Sequence, residues 1–369
     1  MMHVALVIPT LHGGGAEFVA RQWIAELNAQ GHKITVYLYN REQPLADLPT
    51  GIICWRFASG QSQMRRVMLP IWLRRRILTD HPDVVLSVLT YSNLATLLAL
   101  NILGRSPTPV LISEHTMPSL HARAARRRDR VTYWLSRWLY RRAAGVIAVS
   151  HPIAGELVSG FGVSADRLFV IANPVISSPD QVKPSTRSAK SQGLHIAFVG
   201  RQAKSKRPDL FIAVLRELSQ RKIDAHGTVI GDGPLREATE QEARDSGVEV
   251  TFTGWREPWW EAVSGVDCLL LTTQFEGFAN VLVEAAAVGI PSVASSRALG
   301  VADAIVPGVT GELAITDSPR DYADAVTRAT SRPPPSEDTM QRWLEHLSIK
   351  HSTAALLGVL QTLIDPLGR

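Results

Sequence analysis

Asp267-Cys268-Leu269-Leu270-Leu271-Thr272-Thr273, followed after Gln274 by Phe275-Glu276-Gly277-Phe278-Ala279-Asn280-Val281-Leu282-Val283-Glu284, is the stretch on which the fold of this chain turns. The apolar run reads as a strand buried on both faces of a parallel sheet. A glycine turn follows, then a helix from Asn280 to Val288 that Gly289 and Pro291 stop. Strand, turn and helix N-terminus in that order make the crevice in which open α/β sheets hold ligands. Unpaired N–H groups at a helix start favour an anion such as a diphosphate. Glu276 precedes the helix and Glu284 lies about one turn inside it, so the two carboxylates can address different parts of one elongated ligand. Carboxylates suit hydroxyl-rich groups, and beside a diphosphate they point to a nucleotide sugar.

Outward from that stretch, the same alternation of strand and helix repeats. In the first half, strands are expected at Val4–Ile8, Ile34–Tyr39, Val84–Leu89, Val110–Ser113, Gly145–Ser150 and Leu168–Ala172. In the second they are expected at His195–Gly200, Thr228–Gly231, Val250–Gly254, Leu269–Thr273 and Pro291–Ala294. Helical segments separate them, the βαβ signature of a doubly wound parallel sheet. From Ile176 to Gly193 the composition turns to Ser, Pro, Lys, Gln and Thr, which reads as a linker. The expectation is two Rossmann-like domains facing a cleft, residues 1–178 and 179–349. The terminal helical stretch, Glu337 to Ile364, returns to brace the first domain with residues from about 350 to 369.

The chain has 369 residues, 45% apolar and 20% charged, which suits two globular cores and excludes a disordered protein. Cys54 and Cys268 lie far apart with no metal-type spacing, and read as free thiols in a reducing compartment. Met1-Met2-His3 leads straight into a strand, so a secretory leader is not expected. Leu94 to Leu103, interrupted by Asn101, falls far short of a membrane span. A cytoplasmic protein is expected. The net charge of +5 is uneven: residues 1–185 carry 20 Lys+Arg against 11 Asp+Glu, and the remainder 19 against 23. The first half, at +9, and the second, at −4, should face different partners.

Three other loops carry chemistry. Gly13-Gly14-Gly15-Ala16-Glu17 follows the first strand, but Phe18 and Asn40 stand where a dinucleotide fingerprint needs glycine and an acid. The loop is either a tight turn or a backbone approaching a phosphate or acceptor. Gly200-Arg201-Gln202-Ala203-Lys204-Ser205-Lys206 follows the first strand of the second half, and Arg201 and Lys206 are placed to clamp a diphosphate leaving group. Gly231-Asp232-Gly233-Pro234 reads as a structural strand-end turn. His115 ends a first-half strand and is expected in the active site, with Glu114 beside it to orient it or to bind an acceptor.

A basic-aromatic segment runs from Arg123 to Arg142 and holds Tyr133, Trp134, Trp138 and Tyr140. With Arg65-Arg66 and Arg74-Arg75-Arg76 it is either an interfacial surface for anionic lipid headgroups or a stripe packed into the domain with only the arginines wet. Nucleic acid is not expected, since no binding module accompanies the charge.

Together the glycine loop, Gly200-Arg201 with Lys206, the Gly231–Pro234 turn and above all Glu276-Gly277-Phe278 through Glu284 resemble the retaining glycosyltransferases of family four. The resemblance spans both halves and implies the GT-B fold. It implies that Glu284 holds the donor's ribose and Glu276 the transferred sugar. Arg201 and Lys206 then bind the diphosphate with amides around Phe278, Ala279 and Asn280, and Val281, Leu282, Gly277, Gly14 and Gly15 complete the donor site. His115 falls near the reacting sugar, with Glu17 and Glu114 on the acceptor side. Gln202, Thr273-Gln274 and Asp303 depart from the family pattern.

The implied activity is transfer of a hexose from a UDP- or GDP-linked donor to a glycan or lipid-linked acceptor. The implied setting is surface polysaccharide or lipopolysaccharide synthesis, with peripheral contact at an anionic membrane. Neither a metal nor another cofactor is expected, since no D-x-D occurs in the chain. The competing classes are a GT-B nucleotide-sugar epimerase, which would act on the donor with no acceptor, and a silent nucleotide-binding homologue, which would release no nucleotide diphosphate.

Overall fold

A computed structural model describes residues 1–40, 48–57, 62–120, 127–177 and 193–365, without the side chains of 62–67 and 127–129. The chain divides into two compact units: Met1–Ser177 with Leu347–Arg369, and Ser178–His346.

The first unit carries strands β1 (His3–Ile8), β2 (Lys33–Leu38), β3 (Ile53–Arg56), β4 (Val84–Val88), β5 (Val110–Glu114), β6 (Gly145–Ala148) and β7 (Leu168–Val170). All pair in parallel, in the order β3-β2-β1-β4-β5-β6-β7. The runs of Val, Ile and Leu in β1 and β4 are buried throughout because helices cover both faces. Helix α1 (Gly15–Ala29) turns Ala16, Val19, Ala20, Trp23, Ile24 and Leu27 inward at helical spacing, and the chain leaves it through Gly31 at φ +82°. Also described here are α2 (Ser62–Asp80, with Pro70 inside), α3 (Thr90–Leu97), α4 (Arg127–Leu139) and α5 (His151–Phe161).

The second unit has β8 (Leu194–Val199), β9 (Ala225–Ile230), β10 (Val250–Gly254), β11 (Cys268–Leu271), β12 (Ser292–Ser295) and β13 (Gly311–Ala314), all parallel in the order β10-β9-β8-β11-β12-β13. Its helices are α6 (Pro208–Gln220), α7 (Arg236–Ser246), α8 (Asn280–Ala287), α9 (Pro319–Ser331) and α10 (Glu337–Glu345). The short strands β3 and β13 escape the sequence pattern: β3 is a half-exposed edge strand, and β13 is four residues beginning with glycine.

Two Rossmann-type sheets are thus present, and in each the order reverses beside the first strand. Such reversal opens a crevice at the carboxyl ends of the two strands that flank it. In the first unit these are β1 and β4, and in the second β8 and β11.

The terminal helical stretch from Glu337 to Ile364 consists of two helices, α10 and α11 (Ile349–Ile364). Ser348 breaks it by capping α11, its hydroxyl accepting from the His351 N–H at 3.1 Å. At the break, Leu347 O accepts from the Val175 and Ile176 N–H groups, and the Ile349 N–H donates to Ile176 O. Helix α11 buries Leu356, Val359 and Leu360 in the first unit's core. Each such side chain contributes about 1.5–3 kcal/mol.

Candidate functional site

The carboxyl ends of β8 and β11 bring the two expected motifs together. From β8 the chain runs through Gly200 and Arg201 to a short turn at Lys204–Lys206. Arg207, at φ +48°, then reverses it into α6, which begins with Pro208. Two threonines at the end of β11 hold this turn. Thr272 donates from its hydroxyl to Lys206 O (2.9 Å) and Arg207 O (2.8 Å), and the Thr273 hydroxyl donates to Ser205 O (3.1 Å). The Gln274 N–H also donates to Ser205 O, at 2.9 Å. Stapled there, Lys206 forms an ion pair and hydrogen bond with Glu276 Oε1. Arg201 is exposed and makes no ion pair with a described residue.

Beyond Glu276, Gly277 and Phe278 are buried, and Ala279 sits at φ +66° as the residue before α8. That left-handed step is unusual for a residue with a Cβ, and Ala279 O accepts from the Leu282 N–H at 3.0 Å in the first turn of α8. Val281 is half-buried and Leu282 is core. Gly300 allows the acidic loop to lie close: a Cβ there would meet Glu276 O at 2.1 Å. Glu284, in the second turn of α8, accepts a hydrogen bond on Oε2 from Trp259 Nε1 at 2.9 Å. Burial pushes its carboxyl up to about 7, the indole N–H pulls it back, and the like charge of Glu257 adds to the rise.

Gly231 to Pro234 packs as a turn against the arginine loop. A Cβ on Gly231 would fall 2.1 Å from Gly200 O, and one on Gly233 2.5 Å from Gln202 O. The departure at Gln202 has a structural use. It is fully buried, and its side-chain amide donates to Gly231 O at 3.0 Å, tying the two loops together.

In the first unit, Gly13, Gly14 and Gly15 are exposed after β1, and Gly13 has φ +92°. Glu17 folds back so that a Cβ on Gly14 would lie 2.3 Å from its Oε2. Burial raises its carboxyl. His115 follows β5, buried against the edge of the Trp23 ring, its Nε2 2.9 Å from Ser113 Oγ. Burial pushes this imidazole down to about 3, so it is neutral near pH 7.

Glu114 is fully enclosed. It accepts from Tyr140 OH (2.6 Å), the Thr90 hydroxyl (3.0 Å), the Thr116 hydroxyl (3.0 Å) and the His115 N–H (3.2 Å). It therefore braces the backbone that carries His115, and a direct acceptor contact would require this network to open. Burial raises its carboxyl, against the pull of the Tyr140, Thr90 and Thr116 hydrogen bonds.

The basic-aromatic segment divides. Tyr140 is core and stacks on Phe161 at 5.6 Å, whereas Val131, Trp134, Leu135 and Trp138 are 59%, 64%, 42% and 50% exposed. Spaced i, i+3, i+4, i+7, these four form one outward stripe on α4. Arg137 lies over Trp134 (5.2 Å) and Arg142 over Trp138 (3.6 Å). The side chains of Arg65, Arg66, Arg123 and Arg126–Arg128 fall outside the described residues. No helix among the described residues is long and apolar enough to cross a membrane.

Sequence reasoning missed Trp259, Thr272, Thr273 and Gly300. Trp259 left a signal in Trp255-Arg256-Glu257-Pro258-Trp259-Trp260, three tryptophans within six residues. The threonines become visible only once β8 and β11 are neighbours, and Gly300 only once β12 lies beside β11.

Residues 13–178 match the model of Glycosyltransferase Family 4, and residues 193–332 that of Glycosyl transferases group 1. Each half of the chain thus matches a glycosyltransferase model, and neither model alone spans half of it. Among curated relatives, the lipopolysaccharide 1,6-galactosyltransferase of Salmonella typhimurium is 29% identical over 226 residues, which are 58% of this chain and 62% of that protein. A Campylobacter jejuni alpha-1,4-N-acetyl-D-galactosaminyltransferase, named for a PP-undecaprenol-linked glycan, is 26% identical over 313 residues, 83% of this chain and 82% of that protein. The solved structure of the lipopolysaccharide outer core galactosyltransferase WaaB in its apo form matches with a TM-score of 0.78 at 23% identity, over 98% of this chain and 99% of that one. The fold is GT-B.

Proposed function

We propose that this chain is a family 4 glycosyltransferase that moves a hexose from a nucleotide-diphosphate sugar to a glycan or lipid-linked acceptor in surface polysaccharide or lipopolysaccharide assembly, retaining configuration and using no metal. The observation that carries the reading is the Lys206–Glu276 pair at the β8/β11 crevice, beside the α8 N-terminus and Glu284. Lys206 and Arg201 take the diphosphate, Glu276 the transferred sugar and Glu284 the ribose. The first unit serves the acceptor, with His115 as a neutral hydrogen-bonding group near the reacting sugar and Gly14 and Gly15 approaching the donor.

In this reading the bond from the anomeric carbon to the diphosphate oxygen breaks, and its electron pair stays on that oxygen. The acceptor hydroxyl attacks on the same face and gives its proton to the departing oxygen. Arg201 and Lys206 stabilise the charge that develops there. A carboxylate-pair mechanism needs two acids flanking the anomeric carbon, and Glu284 on the ribose leaves no such pair.

The exposed stripe of α4, with its arginines, supports peripheral contact of the first unit with an anionic membrane on the cytoplasmic side. The reading is tested by incubating the protein with UDP- and GDP-hexoses and lipid-linked acceptors, with and without EDTA, and taking the product's anomeric coupling by NMR. An inverted anomer rules out retention, and loss of turnover in EDTA rules out metal independence. Donor conversion without acceptor would favour the epimerase class.

A further inference from the structure

Trp259 belongs to neither motif of the donor site, yet it makes a direct side-chain bond to one of that site's carboxylates. It lies in the loop after the edge strand β10, in a short turn at Trp259–Glu261 closed by the Ala262 N–H donating to Trp259 O at 3.1 Å. The indole is 4% exposed, and Trp260 packs edge-on against it at 5.9 Å. A buried indole N–H needs an acceptor and can serve only as a donor. Its acceptor is Glu284 Oε2, at 2.9 Å. A carboxylate offers two oxygens, and Oε1 of Glu284 has no hydrogen-bond partner among the described residues.

We propose that Trp259 is a positioning residue for the donor site: its N–H holds Oε2 of Glu284 so that Oε1 stays free for the ribose hydroxyls of the bound nucleotide. This rests on the reading of Glu284 as the ribose-binding group. Without the indole, the side chain of Glu284 has other rotamers open to it, and ordering it on binding costs affinity. The N–H also favours the charged carboxylate, the better acceptor for a hydroxyl, against the burial and the Glu257 charge that oppose it. Held in this way, Glu284 should tell ribose from deoxyribose.

The test measures dissociation constants of UDP and 2′-deoxy-UDP by titration calorimetry across about pH 5 to 9. GDP and 2′-deoxy-GDP run in parallel, and the tighter base is followed. Taking the ratio of the two constants cancels protonation of the phosphates. The full chain is compared with Trp259→Phe, Glu284→Gln and the double variant, each checked by a thermal melt. The full chain should prefer the ribonucleotide increasingly as pH rises through about 7.

Trp259→Phe should reduce that preference about tenfold and move its rise to higher pH, the effect of losing one hydrogen bond to a charged group. The double variant should be no worse than Glu284→Gln alone. A local packing defect would lower the melting temperature without moving the pH dependence of the ratio. Should Trp259→Phe melt below the assay temperature, Trp259→Met carries the same comparison. A folded variant that keeps both the preference and its pH dependence, while Glu284→Gln loses them, overturns the positioning role and leaves the ribose reading standing. If Glu284→Gln keeps the preference, the ribose reading fails and the role of Trp259 fails with it.

Discussion

Lys206 is ion-paired with Glu276 across the β8/β11 crevice, although seventy positions separate them in the chain. Each belongs to the loop after its own strand, and the reversal of strand order makes those loops neighbours. In the proposed reading the pair presets a cation where a diphosphate would leave and a carboxylate where a sugar would sit. Lys206→Ala should lower turnover by roughly 10²–10³, as loss of one preorganised group at the developing charge does. Lys206→Arg should recover little, because a planar fork does not replace a compact ammonium in a stapled turn. Release of nucleotide diphosphate in a coupled assay measures both, and near-normal turnover in Lys206→Ala would remove the leaving-group role.

Glu284 couples its protonation to stability. Its carboxyl sits at about 7 in the fold, above its ordinary value, so the folded state holds a proton that the unfolded state has released. Stability from this group is therefore full below about pH 4.5 and is lost as pH rises towards 7. Glu284→Gln should leave stability near pH 5 almost unchanged and raise it at pH 8 by about 1–3 kcal/mol. Chemical denaturation at the two pH values checks the sign, and nucleotide affinity should fall in the same variant.

The histidines work in the opposite direction. Burial pushes His115 down to about 3, and it is also the first cause lowering His3 and His195. The unfolded chain binds more protons than the folded one below about pH 6.5, so stability falls as pH drops through that window. His115→Gln should flatten the acid limb of a melting-temperature profile. An unchanged limb would mean that His115 is charged in the fold.

His3 and His195 lie at the start of the first strands of the two units, as first and second residue, with the same bonding pattern. Their N–H groups donate to Asp83 (2.7 Å) and Asp267 (2.9 Å), and their Nε2 atoms lie 2.9 and 2.8 Å from Thr35 and Thr228 hydroxyls. Asp267→Ala should cost about 1–3 kcal/mol by leaving the His195 N–H without its partner. Activity per folded molecule should be unchanged, since this end of the sheet is opposite the crevice. A denaturation midpoint and a specific activity settle both halves.

Gly300 lets the acidic loop lie where it does. Gly300→Ala would drive a Cβ against Glu276 O and Gly277 O and should displace Glu276, costing about 1–3 kcal/mol and weakening nucleotide binding. Gly358→Ala, in an exposed turn of α11 with nothing within 4 Å, is the control. It should stabilise by about 0.5–1 kcal/mol.

The α4 stripe predicts sedimentation with anionic vesicles that high salt weakens. Trp134→Ser with Trp138→Ser should reduce it at every salt concentration, whereas arginine changes should act mainly at low salt. No sedimentation in either salt would remove the membrane contact.

Much of this molecule was legible along the chain, because strands buried on both faces are continuous apolar runs and helix starts and stops are local chemistry. The run Asp267–Thr273 with Glu276 and Glu284 gave the parallel strand, the turn and the helix. The short edge strand β3 and the break before α11 were not legible, since the first lacks a period and the second depends on Leu347 O meeting Val175 and Ile176. Sequence alone determined the buried strands, the helices between them and the types of side chain at the strand ends. Only the tertiary structure decided that Lys206 meets Glu276, that Trp259 holds Glu284 and that Glu114 lies inside the fold. Those are pairings set by strand order and burial, and local periodicity carries no record of which distant loop becomes a neighbour.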